Sequence, residues 1–152
     1  MNAASPLPKP DAEVFQQNFA GTWEDIATAA TWLEATAQAQ GLSDQTLFNM
    51  QVCLEELFTN IVKHGGSDVQ SESARSPTVI LTVALHNGAA VLTMEDNATP
   101  FDVAAAEAHA IDKPLAEVKL GGLGVQLIKT FASDVSYEQA GLGNRVTLRF
   151  NP

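Results

Sequence analysis

Cysteine, positive charge and long apolar runs are all scarce in this chain of 152 residues, and each scarcity excludes a class of protein. Cys53 is the single cysteine, so an intramolecular disulfide and a zinc site built on cysteines are both excluded. No run approaches the roughly 20 apolar residues of a membrane-spanning helix, and the first residues lack the apolar core of a signal peptide. We therefore expect a cytoplasmic protein that makes no membrane contact.

Acidic residues outnumber basic ones: the chain has 8 Lys and Arg and 18 Asp and Glu, which gives a net charge of −10 at pH 7. Nucleic-acid phosphates are bound by basic surfaces, so nucleic acid is not expected as a partner. Hydrophobic residues make up 45% of the chain, which is typical of a globular protein and not of a disordered one. The length is that of one compact domain. We expect a flexible, proline-containing tail over residues 1–10 and a single domain over residues 11–152.

The hydrophobic periodicity predicts a strand, two helices, a hairpin, a long loop, a third helix and a second hairpin. The Asn87-Gly88 dipeptide predicts a tight turn in the first hairpin. This order of elements favours an α+β fold, a two-layer sandwich with three helices on one face of a mixed, mostly antiparallel sheet. The expected ranges are 11–19 for an edge strand, 22–40 and 43–66 for two helices, 78–85 and 89–95 for a hairpin, 102–120 for an irregular loop, 121–132 for the third helix, and 135–139 and 145–150 for the last hairpin.

The second predicted helix carries a polar face opposite its apolar one. Glu56 and Asn60 are four residues apart, which places their side chains one turn from each other on one face. Asn is unfavourable inside a helix, because its amide competes with the backbone for hydrogen bonds. An Asn oxygen is a ligand that Mg²⁺ accepts beside phosphate oxygens, and a Glu one turn away could accept a proton from an attacking hydroxyl. The alternative is an ordinary solvated polar face.

Two further features fit a nucleotide site. Asp96 ends a predicted strand just before a turn, where it could accept a hydrogen bond from an exocyclic amine such as that of adenine; a turn-capping aspartate is the alternative. The segment Gly121-Gly122-Leu123-Gly124 begins the third helix, whose free N–H groups would favour a phosphate; a plain turn is the alternative. The loop over residues 102–120, between these features, has the length of a lid or binding loop; a disordered insertion is the alternative.

Together these features resemble the Bergerat nucleotide-binding fold, the family of gyrase-type ATPases, histidine kinases and anti-sigma-factor serine kinases. The resemblance covers about residues 12–150. The segment LEELFTNIVKHGG looks like the N-box of that family, EDNATPFD looks like its first glycine box, and KLGGLGVQLIKTFASDVSY looks like its second. These motif sequences are most similar to those of the small stand-alone anti-sigma serine kinases. No helix with a phosphoacceptor histidine is recognisable in the sequence.

The resemblance implies a role for each matching residue. Glu56 would be the catalytic base for a substrate serine hydroxyl, and Asn60 would hold a Mg²⁺ ion that bridges the ATP phosphates. Lys63 would contact phosphate, and Asp96 would bind the adenine amino group. The segment that would line the phosphates and the hinge of an ATP lid consists of Gly121, Gly122, Leu123 and Gly124.

The resemblance further implies an ATP-dependent and Mg²⁺-dependent serine kinase. Its substrate would be a STAS-domain antagonist of an anti-sigma factor, within a bacterial partner-switching system. The alternative is an ATP-binding regulator that sequesters a sigma factor or another target with little or no kinase activity. Glu56 favours the kinase, whereas Ala98 stands where the family usually has Gly and favours the sequestering module. A homodimer through the face of the first helix with Trp23 or Trp32 is a candidate assembly.

Overall fold

The structure, a computed structural model, describes residues 14–64, 77–86, 88–105, 122–141 and 143–152. The elements follow one another in the order that the sequence predicts. The expected N-terminal tail, most of the expected loop over 102–120 and Gly121 lie outside the described residues. The elements are β1 (Val14–Ala20), α1 (Trp23–Ala39), α2 (Asp44–His64), β2 (Thr78–His86), β3 (Ala89–Asp96), α3 (Gly122–Phe131), β4 (Asp134–Ala140) and β5 (Gly143–Phe150).

The helix ends are fixed by local capping. The Thr22 hydroxyl accepts a hydrogen bond from the Asp25 N–H at 3.3 Å at the start of α1, and the Ser43 hydroxyl accepts one from the Thr46 N–H at 3.1 Å at the start of α2. After α1 the chain reverses at Gly41, whose φ of 69° is the left-handed conformation that glycine adopts most easily. In the part of the chain that the structure describes, no helix is both long and apolar enough to span a bilayer.

The five described strands form one sheet in the order β1-β2-β3-β5-β4, with β1 at an edge as expected. The α+β class is confirmed. The sheet differs from the mixed one expected, because all four described pairings are antiparallel. The reason is the position of β5. The crossover from β3 through α3 to β4 places two strands in the same direction, but β5 lies between them and pairs antiparallel with both.

The core lies between the sheet and the three helices. Alternate residues of the strands point toward the helices and are buried, whereas their neighbours on the other face of the sheet are more exposed. Helix α2 is the central helix and packs against both α1 and α3. Its buried hydrophobic residues are Met50, Cys53, Leu54, Leu57, Phe58 and Ile61. The Cys53 thiol packs as an apolar group here, since burial, and to a lesser degree the charge of Glu56, raises its pKa to about 12.

Candidate functional site

The polar face of α2 lies against the first turn of α3. Glu56 is partly buried, and a Cβ atom built on Gly124 would lie 2.7 Å from Oε2 of Glu56. A side chain at position 124 would therefore have to share space with this carboxylate. Glu56 and Gly124 were both predicted as site residues from the sequence, and the structure places them next to each other. The alternative of a fully solvated polar face does not hold at Glu56.

The Glu56 carboxylate is less acidic than a free glutamate. Burial raises its pKa, the neighbouring Glu55 charge raises it further, and the positive charge of Lys63 opposes both effects. A carboxylate whose pKa rises toward neutrality becomes a stronger base while it stays ionised at pH 7. The environment of Glu56 is thus the one that a proton acceptor requires.

Asn60 and Lys63 continue this face of α2 toward its C-terminal end. Asn60 is partly buried, Lys63 is exposed, and the effect of Lys63 on the Glu56 pKa shows that it lies within electrostatic reach of Glu56. Over the described ranges, the structure shows no hydrogen bond from the Asn60 amide to another part of the protein, so its oxygen is available to a ligand. We call Glu56, Asn60, Lys63 and Gly124 the α2–α3 cluster.

The α2–α3 cluster fits a magnesium ion that arrives with a nucleotide better than a resident metal ion. Within the described residues, no group of three or more His, Cys, Asp and Glu side chains could hold a metal. Mg²⁺ commonly takes one or two protein oxygens and completes its shell with water and substrate phosphates. The Asn60 side-chain oxygen is such a ligand. This donor set is consistent with the expected metal role of Asn60.

Asp96 ends β3 in a tight turn, which we call the Asp96 turn (residues 96–99). Its Oδ1 atom accepts two hydrogen bonds at 2.9 Å, one from the N–H of Ala98 and one from Nδ2 of Asn144. Burial raises the Asp96 pKa, and these two bonds oppose the rise. In the described part of the chain, no protein donor reaches Oδ2. One oxygen of this carboxylate is therefore held by the protein and the other is available to a ligand.

Ala98 stands where the resemblance led us to expect glycine. Its side chain is buried in the hydrophobic core, with 5% exposed, while its N–H bonds Asp96. The methyl group therefore occupies space that the core provides. The Asp96 turn forms with alanine at this position.

Asn144 is the polar centre of this region, and no sequence motif indicated it. It is 5% exposed, and its Oδ1 accepts hydrogen bonds of 2.7 Å from both the Phe101 N–H and the Tyr137 hydroxyl. Its Nδ2 donates to Asp96 and to the Thr99 carbonyl oxygen at 3.2 Å. The predicted strand began at residue 145, whereas β5 begins at Gly143, so the placement of Asn144 inside a strand, where Asn is depleted, is visible only in the structure.

Gly143 was also not predicted as a site residue. Glycine is required at this position for a steric reason. It precedes Asn144 at the start of β5, where a Cβ atom would overlap the Asp96 carbonyl oxygen and lie 2.7 Å from the Cα of Asn97. Only glycine lets β5 approach the Asp96 turn this closely. The Gly143-Asn144 pair therefore fixes the Asp96 turn from across the sheet.

The glycine-rich segment is described in part. Gly122, Leu123 and Gly124 form the first residues of α3, so the expected helix start is found there, whereas Gly121 lies outside the described residues. In the described ranges no hydrogen bond or ion pair joins Asp96 to the α2–α3 cluster. The site therefore consists of two separate groups: a carboxylate turn suited to an amine donor, and a cluster with a base, an amide oxygen and a cation.

Comparison with known proteins identifies the family that this chain matches. Residues 19–150 match the family described as histidine kinase-like ATPase domain, a range that includes every described site residue. The chain is also similar to the serine/threonine-protein kinase BtrW of Bordetella bronchiseptica, with 27% identity over 126 residues, which cover 80% of this chain and 85% of BtrW. Both findings agree with the resemblance that the sequence motifs indicate.

Proposed function

This chain belongs to the histidine kinase-like ATPase domain family, and on that premise we propose that it is an ATP-dependent protein kinase that phosphorylates serine. The observation that carries the proposal is the Glu56 carboxylate, which burial makes more basic and which contacts Gly124 at the first turn of α3. A module that only binds ATP and a partner has no use for a base in this position. The name of the relative BtrW, a serine/threonine-protein kinase, supports the same activity.

Each candidate site residue would bind a different part of the ATP molecule or its metal ion. Oδ2 of Asp96 would accept a hydrogen bond from the adenine amino group, and Lys63 would contact the phosphates. Gly121, Gly122, Leu123 and Gly124 would line the phosphates at the start of α3, where free N–H groups favour anions. Asn60 would hold Mg²⁺, which when bound offsets the phosphate charge.

Glu56 would perform the proton transfer. Its carboxylate accepts the proton of the substrate serine hydroxyl as the serine oxygen forms a bond to the γ-phosphorus. The bond between that phosphorus and the oxygen bridging to the β-phosphate breaks, and ADP leaves. Positioning and charge stabilisation supply most of the rate in such a reaction, so small displacements of Glu56 are expected to be costly.

The substrate we propose is a STAS-domain antagonist within a bacterial partner-switching system, by analogy with the anti-sigma serine kinases. A sigma factor or another regulated protein would then be the second partner. The alternative is an ATP-binding module that sequesters its partner without transferring phosphate. Ala98 favoured that alternative in the sequence, but the Asp96 turn accommodates its methyl group in the core. A homodimer would use the exposed Trp23 rather than Trp32, which packs against Phe19.

Phosphate transfer from γ-labelled ATP to candidate STAS-domain proteins tests the proposal in two variants. Glu56→Gln keeps the shape of the base but removes its proton affinity, and we expect transfer to fall roughly a hundredfold or more. Asp44→Asn is the control, since Asp44 is exposed twelve residues before Glu56 in the same helix and the charge change is the same. It should leave the rate within about threefold of the unmodified protein, a range typical of surface substitutions away from the reacting atoms.

Binding of ATP to Glu56→Gln separates the two functions. If this variant binds ATP as the unmodified protein does and transfers no phosphate, Glu56 is the base. If its transfer is undiminished, the assignment of Glu56 is wrong. If the unmodified protein binds ATP but labels no STAS-domain protein, the sequestering module replaces the kinase.

A further inference from the structure

The two oxygens of the Asp96 carboxylate have unequal surroundings. Both donors that reach it in the described part of the chain, the Ala98 N–H and the Asn144 amide, bond Oδ1. A carboxylate oxygen offers about two lone-pair directions, so Oδ1 is saturated. Oδ2 is the oxygen left for the base of a nucleotide.

The orientation of Asn144 is fixed by groups of known polarity. The Phe101 N–H can only donate, and it lies 2.7 Å from the Asn144 atom on the side away from Asp96. That atom must therefore be the amide oxygen, which leaves the NH₂ group facing Asp96. A flipped amide would place two donors against each other at Phe101 and two acceptors against each other at Asp96, so the Asn144 NH₂ group faces Asp96.

Purine bases differ in what they present to a carboxylate. Adenine offers one exocyclic amino group beside a ring-nitrogen acceptor. Guanine offers two parallel donors, its ring N–H and its amino group, and a carboxylate with both oxygens available matches them in a bidentate pair. A carboxylate with a single available oxygen matches the single donor of adenine and leaves one donor of guanine unpaired, which is costly in a partly buried site.

We propose that Asn144 determines base specificity: by saturating Oδ1 of Asp96, it leaves one acceptor oxygen for the base and so selects adenine over guanine. This inference rests on the proposed nucleotide-binding function and deepens it. Asn144 acts here through Asp96 and is a positioning residue. The Tyr137 hydroxyl, which donates to Asn144 at 2.7 Å, supports its orientation from β4.

The first test measures the ratio of GTP to ATP dissociation constants by calorimetry with Mg²⁺ present. In Asn144→Ala one lone pair of Oδ1 becomes available, and we expect this ratio to fall at least about tenfold, since bidentate guanine binding becomes possible. Asn151→Ala is the control. Asn151 is exposed beyond the other end of β5 and accepts a hydrogen bond from Nε of Arg149 at 3.0 Å, so the ratio should stay within about twofold of the unmodified protein.

The second test uses Asp96→Asn, which does not depend on the folding of Asn144→Ala. If Ala98 and Asn144 hold the position of Oδ1, the new amide must place its oxygen there and its NH₂ group toward the base. The variant should then prefer ITP, whose base carries a carbonyl oxygen at the amino position of adenine, over ATP. The unmodified protein should prefer ATP.

Each outcome discriminates. An unchanged GTP-to-ATP ratio in Asn144→Ala, or a persisting preference for ATP in Asp96→Asn, would overturn the role of Asn144. An unmodified protein that binds neither ATP nor GTP would instead overturn the proposed nucleotide-binding function. Wild-type preference for ATP together with both expected shifts supports the inference.

Discussion

Glu56 and Asp96 share a property that ties the candidate function to the stability of the protein. Burial is the largest cause of the raised pKa at both carboxyl groups. A carboxylate that is easier to protonate in the folded state than in the unfolded state lowers stability when it is ionised. Both side chains therefore act against folding at neutral pH, a pattern typical of residues retained for binding or catalysis.

Asp96→Asn is expected to stabilise the protein at neutral pH. The amide keeps an oxygen for the Ala98 and Asn144 donors but carries no charge to desolvate, so its melting temperature at pH 7 should exceed that of the unmodified protein. The folded-state pKa of Asp96 is raised, so the unmodified protein loses stability as pH rises from the unfolded-state pKa through the folded-state one. The difference in melting temperature between Asp96→Asn and the unmodified protein should therefore increase with rising pH in this range and stay constant above it.

Thermal unfolding of both proteins from pH 3 to pH 8, followed by circular dichroism, checks this expectation. Asp102→Asn serves as the control, since Asp102 is exposed. A variant Asp96→Asn that melts below the unmodified protein at pH 7 would show that the two hydrogen bonds to Oδ1 outweigh the cost of burial.

The sequence made Asp96 predictable but not Asn144, and the reason is the distance between them along the chain. Asp96 stands at a strand end inside a local motif. Asn144 lies 48 residues away and reaches Asp96 because β3 and β5 pair in the register that sets these two residues opposite each other. A property that depends on register across a sheet is absent from local patterns, so the partner of the carboxylate had to come from the structure.

At the scale of the elements, the contact between α2 and α3 decides where the proposed base lies. Gly124→Ala places a methyl group 2.7 Å from Oε2 of Glu56, which is too close for these two atoms, and the carboxylate must move. A displacement near 1 Å at a reacting group can cost roughly a hundredfold in rate. We expect phosphate transfer by Gly124→Ala to fall about tenfold to a hundredfold, with ATP affinity little changed.

A stability measurement distinguishes displacement of Glu56 in Gly124→Ala from destabilisation of the whole protein. The obstructing atom is the end of a flexible side chain, and alanine is favoured over glycine inside a helix by about 0.5–1 kcal/mol. The melting temperature of Gly124→Ala should therefore equal or exceed that of the unmodified protein. Gln126→Ala, in the same helix, is the control for activity. Unchanged transfer by Gly124→Ala would show that Gly124 does not set the position of Glu56.

The start of β5 provides the opposite case, in which glycine is required by backbone packing. A methyl group in Gly143→Ala would overlap the Asp96 carbonyl oxygen, and backbone cannot move aside as a side chain end can. We expect a loss of about 1–3 kcal/mol in the free energy of unfolding, the usual cost of overpacking. The loss should be measured by urea denaturation.

Gly141→Ala is the informative comparison, because Gly141 lies in the same hairpin and has a φ of 58°, but a Cβ atom there would meet no atom within 4 Å. Its cost is conformational, about 1 kcal/mol. Equal losses for the two variants would argue against a steric requirement at Gly143.

The bounds of the elements were predictable to within a few residues, and the arrangement of the strands was not. Capping residues such as Thr22 and Ser43 stand next to the helices that they begin, so local sequence carries the information. The position of β5 between β3 and β4 depends on how α3 crosses the sheet. Because β5 lies between the parallel strands β3 and β4, every described pairing is antiparallel, and the expected mixed sheet is not found.

At the scale of the whole molecule, charge opposes the proposed ligand. The chain carries a net charge of −10, and ATP brings about four more negative charges at neutral pH, whose repulsion must be offset. Of the four Lys and Arg residues in the described ranges, Arg145 pairs with Glu95 and Glu138, and Arg149 bonds Asn151. Lys129 lies in the last turn of α3. Lys63 is therefore the described cation beside Glu56.

This balance predicts that nucleotide binding depends strongly on Mg²⁺. Among the described residues, one lysine and the N–H groups of a helix offset only part of the triphosphate charge. Removing the divalent ion with EDTA should therefore weaken ATP binding at least about tenfold, which corresponds to 1.4 kcal/mol. Adenosine is the control, because it keeps the base that Asp96 would bind and carries no phosphate. Its affinity should not change with EDTA. Calorimetric titration of both ligands, with MgCl₂ and with EDTA, checks the expectation. Equal ATP affinity in the two buffers would mean that the chain neutralises the phosphates itself, and Asn60 would then have no metal to hold.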